Sequence, residues 1–315
     1  MKFDKPLKPI IICGVLVSLL FAPLYLSGYS LHLLTFMIFN SVLAISLRFI
    51  MLTGSIFLGH TAFMGIGGYT TALLVVKMNT SCELALLSSA VLSILVAILL
   101  GVMVLRLRGV YFIIVSIAFI EIIRLFVTWW EPVTGGTAGI YVPKPVIFGF
   151  RFTAPSHLYG FAAVLGLLSF FVLYRLENSR LGMTLKSIAQ AEDLAEAIGV
   201  NTTYYKVTGF AIGSLIAGLC GAFFAFYMQF IAPQYVSFLT AVYILIYCIV
   251  GGTWNIWGPI VGASILTLLS EPIRGMAHYE VLAYGIILMA IAILLPEGLI
   301  SIPSTIKRLL AKELS

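Results

Sequence analysis

Charge is what this chain has least of. Only 10% of its 315 residues are charged, against roughly 25% in an average soluble domain. That scarcity excludes an ordinary soluble enzyme and a disordered chain. Cysteine is sparse too: Cys13, Cys82, Cys220 and Cys248 are all there are. None forms a Cys-x-x-Cys, so a disulfide-stapled module is excluded, and thiols in apolar runs read as small apolar side chains. The four histidines are widely spaced, which argues against a His-rich metal site. No lysine follows a glycine, so no Gly-x-x-x-x-Gly-Lys phosphate loop exists. There is no His-Glu-x-x-His and no Gly-x-Ser-x-Gly around a serine nucleophile. Lys2, Lys5 and Lys8 precede an apolar run from Ile10 to Leu26, but no Ala-x-Ala cleavage site follows. The start therefore reads as a retained first span with a cytoplasmic N-terminus, not as a signal peptide.

What is present is apolar surface. Hydrophobic residues make up 61% of the chain and the mean hydropathy is +1.12. A spanning helix takes about 20 apolar residues, so this length holds about ten spans with short loops. Hydropathy places them near 9–26, 31–52, 57–76, 84–105, 109–130, 157–175, 207–229, 237–252, 258–271 and 281–295. The expected architecture is an all-α polytopic helical bundle, a single transmembrane domain over 1–315. The segments 54–76 and 251–271 are interrupted by glycines, and either reads as a broken or re-entrant helix.

The net charge of +6 would suggest nucleic acid in a soluble protein. Here the basic residues are scattered between apolar runs, and membrane lipid is the expected surrounding. Starting inside and alternating through ten spans puts thirteen of the eighteen in the cytoplasm: Lys2, Lys5, Lys8, Arg48, Arg106, Arg108, Arg175, Arg180, Lys186, Lys206, Lys307, Arg308 and Lys312. Four fall outside, Lys77, Lys144, Arg151 and Arg274, and Arg124 lies within a span. This bias places both termini in the cytoplasm. Trp129 and Trp130 end a span on the outer side, as an aromatic belt does.

Two loops are long enough to hold structure, an outer one at about 131–156 and an inner one at about 176–206. In the inner loop, Asn178 and Ser179 are N-cap types and Gly199 stands where a C-terminal cap belongs. Between them Leu181, Leu185, Ile188, Ala191, Ala195 and Ile198 define one apolar helix face. Such a helix either rests on the membrane surface or docks into a groove on a cytoplasmic partner. Its other face carries Glu192, Asp193 and Glu196, which favours a protein partner over an anionic lipid surface.

The run Thr53 to Tyr69 holds Gly54, Gly59, Gly65, Gly67 and Gly68, which permit close helix approach or a break. His60 within it reads as a pathway or gating residue, or as a structural histidine bonded to a neighbouring helix. Glu121 and Arg124 share one face of a span at i, i+3. They read as an intrahelical pair facing the bundle interior, or as part of a substrate path. Gly251 to Pro259 reads as a turn between spans, with Pro259 near the first helical position.

These motifs in order resemble the permease subunits of branched-chain amino-acid ABC importers, over about residues 30 to 300. The first block matches through Gly54, Leu58, Gly59, His60, Phe63, Gly65, Gly67 and Tyr69, with Phe57 where the family has serine. The outer loop matches at Gly135-Gly136 and Gly139-Ile140. The inner loop resembles the family's ATPase-contacting segment at Ser179, Gly182, Leu185, Ile188, Ala195, Glu196, Ala197, Gly199, Tyr205 and Lys206. Gly218, Gly221, Gly251-Gly252, Gly258-Pro259, Gly262-Ala263 and Pro296-x-Gly298-Leu299 follow.

The resemblance implies a bacterial inner-membrane importer subunit, not an enzyme. Its expected partners are a homologous second permease, two cytoplasmic ATPases and a periplasmic substrate-binding protein. ATP is used by the partner chains, with no cofactor bound by this one. Gly54, Gly59, His60, Gly65, Gly67, Tyr69, Glu121 and Arg124 are the candidates for the substrate path. Leu181, Gly182, Leu185, Ile188, Ala195, Glu196, Ala197 and Gly199 are the candidates for ATPase coupling. The rival is a secondary transporter that uses His60, Glu121 and Arg124 as a proton relay.

Overall fold

The computed structural model describes residues 28–107, 109–147 and 149–274, with Tyr25, Leu282, Gly285, Ile286 and Met289 besides. The expected spans at 9–26 and 281–295 fall almost wholly outside these residues, as do both termini. The described chain is helical nearly throughout. Its helices are α1 (Gly28–Met51), α2 (His60–Lys77), α3 (Cys82–Val104), α4 (Val110–Trp129), α5 (Glu131–Thr134), α6 (Pro155–Glu177), α7 (Arg180–Gln190), α8 (Glu192–Ala197), α9 (Thr202–Met228), α10 (Phe238–Gly251) and α11 (Trp257–Arg274). Four two-residue strands, β1 (Ile140–Tyr141), β2 (Val146–Ile147), β3 (Phe150–Arg151) and β4 (Phe230–Ile231), pair antiparallel as β1–β4 and β2–β3.

Among the described residues, six helices are long and apolar enough to cross a membrane: α1, α3, α4, α6, α9, and α10 extended back to Pro233. The chain is therefore a polytopic helical membrane protein. α2 has 18 residues. The apolar part of α11, Trp257–Ser270, is shorter than a full span.

The two glycine-interrupted segments correct one expectation. Neither helix is broken at its interior glycines. In the first, the non-helical stretch is 52–59, and α2 then runs unbroken through Gly65, Gly67 and Gly68. In the second, Gly252 at φ 101° ends α10, and α11 begins at Trp257. The interior glycines serve packing. A Cβ on Gly67 would collide with the Gly218 carbonyl, and one on Gly221 with the Met64 carbonyl. α2 and α9 thus cross with their backbones almost touching, as small residues allow inside a membrane.

α9 is the axis of the bundle. Most of it is buried, against α2, α3 and α1. α1 in turn packs on α6 and α11, and α10 on α11. The core is aromatic. Phe57 is fully buried beside Phe63, Phe112 and Phe210. α3 and α4 lie outermost, with long exposed apolar faces.

The loops sort to two ends. At one end the C-termini of α1 and α6, the pair α7–α8, the start of α9 and the α10–α11 turn meet. At the other, Lys77 Nζ donates to the Pro132 carbonyl, Lys144 Nζ to Thr153, and β1 pairs with β4. Arg48, Lys186 and Lys206 share the first end, while Lys77 and Lys144 share the second. This is the segregation that the basic-residue count requires.

Candidate functional site

The inner loop corrects a second expectation. It forms two helices, not one. Ala191, at φ −153° and ψ 85°, breaks the pattern between α7 and α8. Gly199 follows α8 at φ +86°, and Val200 N–H donates to Ala195 O at 3.0 Å. That is a glycine-capped helix end of the expected kind.

The expected apolar face is also used differently. Leu185 and Ile188 are buried against this chain itself. Leu185 lies against Gly209 of α9, and Ala189 lies against Gly54. Gly182 is buried where a Cβ would meet the Glu177 backbone, and Ala195 is buried too. The face therefore anchors the loop on the bundle and is not free for a partner. What faces outward is Met183, Leu194 and Ile198, together with Ala191, Glu196, Ala197 and Gly199, while Leu181 is half-buried. The heptad-like spacing marked a buried face correctly. It carried no information on which molecule buries it.

Polar contacts lock the anchor. Arg48 at the end of α1 is 2% exposed, and its Nη1 and Nη2 donate to Glu177 Oε2 and Oε1 at 2.6 and 2.9 Å. Its Nε donates to the Thr253 carbonyl at 2.7 Å. Lys186 of α7 donates to Glu177 Oε1 at 2.8 Å. A planar guanidinium matched to both carboxylate oxygens is the strong, oriented form of this bond. One carboxylate thus joins α1, α6 and α7, and one guanidinium adds the α10–α11 turn. Further along, Lys206 of α9, itself buried, donates to Glu192 of α8, and Thr202 donates to Glu196 at 2.6 Å. Sequence reading assigned Arg48 to topology alone and passed over Glu177. The signal was an acidic residue closing an otherwise apolar span.

The expected substrate-path residues do not converge. Gly54, at φ +84°, sits at the α7 contact. Gly59 lies against the ring of Phe57, and Gly65 against Val236. Gly67 is at the α2–α9 crossing. His60 is 1% exposed, and its Nε2 is 2.8 Å from Ser46 Oγ, which donates to Leu43 O at 3.0 Å. The histidine thus ties α2 to α1, the structural alternative, with a hydroxyl as its partner. Tyr69 is buried as well. No hydrogen bond or ion pair among the described residues links His60 to Glu121 or Arg124.

Glu121 and Arg124 give the third correction. They do form an intrahelical pair, with Arg124 Nε and Nη2 at 2.7 and 2.6 Å from Glu121 Oε2. The pair does not face the bundle interior. Its side chains are 39% and 38% exposed, and Ile114 and Leu125 on the face of Glu121 are exposed too.

No group of three or more His, Cys, Asp or Glu among the described residues could hold a metal ion. Cys82, Cys220 and Cys248 are free and buried. Cys220 and Cys248 Sγ point at the carbonyls of Phe39 and Ala44.

The described residues form a helical bundle fit to cross a membrane, with a structured loop clamped across one end. Residues 29–295 match the family described as the permease component of branched-chain amino acid transport systems. The chain belongs to that family and is a permease, not an enzyme. It is 29% identical to the high-affinity branched-chain amino acid transport system permease protein LivM of Salmonella typhimurium, over 93% of this chain and 75% of that one. It is 28% identical to the LivM protein of Escherichia coli over the same shares. A more distant likeness, 25% over 47% of this chain and 46% of the other, is to the permease protein LivH of Escherichia coli. No solved structure matches.

Proposed function

We propose that this chain is one permease subunit of an ATP-driven importer of branched-chain amino acids in the inner membrane. It forms half of the translocation path beside a homologous second permease. Two cytoplasmic ATPases and a periplasmic binding protein complete the assembly. The likeness to both LivM and LivH of Escherichia coli supports a paired permease, because one chain resembles two permease proteins of that organism's branched-chain amino acid transport system. About ten spans, with both termini and the loop 176–206 in the cytoplasm and the loop 131–156 outside, fit the charge segregation.

The observation that carries the coupling role is the clamped loop. α7 and α8 are fixed to α1, α6 and α9 by buried contacts, yet Met183, Leu194 and Ile198 stand out from it. A rigid lever with an apolar tip can transmit a partner's motion, provided that the partner contacts it differently in its two states. The anchor residues Leu185 and Ile188 then hold the lever, and the tip residues meet the ATPase. Replacing both Leu194 and Ile198 with Asp tests this in a tagged chain. The variant inserts and folds but no longer brings down an ATPase subunit. Retained association with retained substrate-stimulated hydrolysis would sink the coupling role.

A further inference from the structure

A charged pair half-way through a membrane has few tolerable surroundings. Glu121 lies about 16 Å along α4, near the middle of a helix about 30 Å long. Lipid at that depth offers no hydrogen bonds, so ionisable groups there face protein or a water-filled cavity. This chain does not supply the cover. Ile114 and Leu125, which share the face of Glu121, are both more than two-fifths exposed. The buried side of α4, through Phe112, Ser116, Phe119 and Ile120, faces the core instead.

The geometry of the pair leaves half of each group open. Both Arg124 contacts converge on Glu121 Oε2. Glu121 Oε1 and Arg124 Nη1 have no partner among the described residues. One carboxylate oxygen and one guanidinium nitrogen of the pair are thus left for another partner, amid apolar side chains. That arrangement complements a zwitterion. The α-ammonium of an amino acid donates to Glu121 Oε1, and its α-carboxylate accepts from Arg124 Nη1. An aliphatic side chain lies on the apolar stripe above or below.

We infer that the outer face of α4 lines a water-filled passage between this chain and the second permease, and that Glu121 and Arg124 bind the amino-acid head group there in transit. This rests on the importer reading above and gives it a substrate-reading site. It also explains why the pair is not buried like Arg48 and Glu177. A transit site must exchange its partners, so its charges are held together but left half-open.

The test uses the assembled transporter, with its second permease and ATPases, in liposomes supplied with ATP and the binding protein. Leucine uptake is measured for wild type, Glu121→Gln and Arg124→Gln. Each variant is expected to lose about tenfold or more of its uptake, the scale of one charge-assisted contact, in complexes that still assemble. In parallel, Leu125→Cys, on the face of Glu121, in a background without the native cysteines is treated with a charged, water-soluble thiosulfonate. It is expected to react in the assembled complex. Uptake at wild-type rate in both Gln variants, or an unreactive Cys at 125, overturns the inference. If the Gln variants do not assemble, the labelling alone decides. A wild-type complex that carries no leucine, with labelling at 125, contradicts the branched-chain substrate and leaves the water-lined face standing.

Discussion

The chain holds two Arg–Glu pairs, and they differ in almost every physical respect. Arg48 and Glu177 are 129 residues apart, 2% and 8% exposed, and fully matched, oxygen for nitrogen. Arg124 and Glu121 are three residues apart, about two-fifths exposed, and share a single oxygen. The first pair joins four elements at the end where the loops meet the helices. The second joins nothing beyond its own turn of α4. A buried, satisfied pair cannot be altered without disturbing the fold. An exposed, half-satisfied pair costs the fold little and leaves valences for something else. The difference separates a structural hub from a binding site, although the residue types are the same.

The largest expected effect comes from breaking the hub. Arg48→Ala leaves Glu177 buried with only Lys186 beside it, and should cost about 3–5 kcal/mol. Thermal unfolding in detergent, or the yield of folded protein, checks this. Next comes the anchor of the inner loop. Leu185→Ala removes a fully buried side chain and should cost about 2–4 kcal/mol. Leu194→Ala, on the exposed side of the same loop, should stay within about 0.5 kcal/mol. Equal losses in the two would mean that the anchor and the tip had been assigned the wrong way round.

Packing at the α2–α9 crossing ranks third. Gly67→Ala puts a methyl group on the Gly218 backbone, with an expected loss of about 1–3 kcal/mol. The comparison is Gly160→Ala in α6, where a Cβ meets nothing within 4 Å. The smallest effect is Lys186→Met. Its side chain is 44% exposed, so its bond to Glu177 should contribute less than about 1 kcal/mol. A loss as large as that of Arg48→Ala would make the lysine, and not the guanidinium, the centre of the hub.

The sequence carried more of the fold than of the site, for identifiable reasons. Long apolar runs define membrane helices because lipid forces backbone groups to pair within the segment. Six of the expected spans could thus be read directly. The glycine spacing at 65, 67 and 68 signalled close approach, and Gly218 and Gly221 are where that approach occurs. What local pattern could not show is who covers a face. Leu185 and Ile188 repeat at helical spacing whether a partner or the same chain buries them. Likewise, i, i+3 spacing paired Glu121 with Arg124 correctly but could not say which way α4 is turned. The Arg48–Glu177 pair was illegible because each residue, taken alone, reads as a charge closing a span. Ala191 was read as part of the apolar face, and only the backbone shows that α7 ends there.

The most direct test sets the two carboxylates against each other in one preparation. Glu177→Gln and Glu121→Gln are made in the same assembled transporter, and melting temperature and binding-protein-dependent leucine uptake are measured on both. Glu177→Gln should lower the melting temperature by several degrees, because a buried guanidinium loses its charged partner. Glu121→Gln should melt with the wild type and lose most of its uptake. A stable Glu177→Gln together with a fully active Glu121→Gln would contradict the division of the two pairs into hub and site.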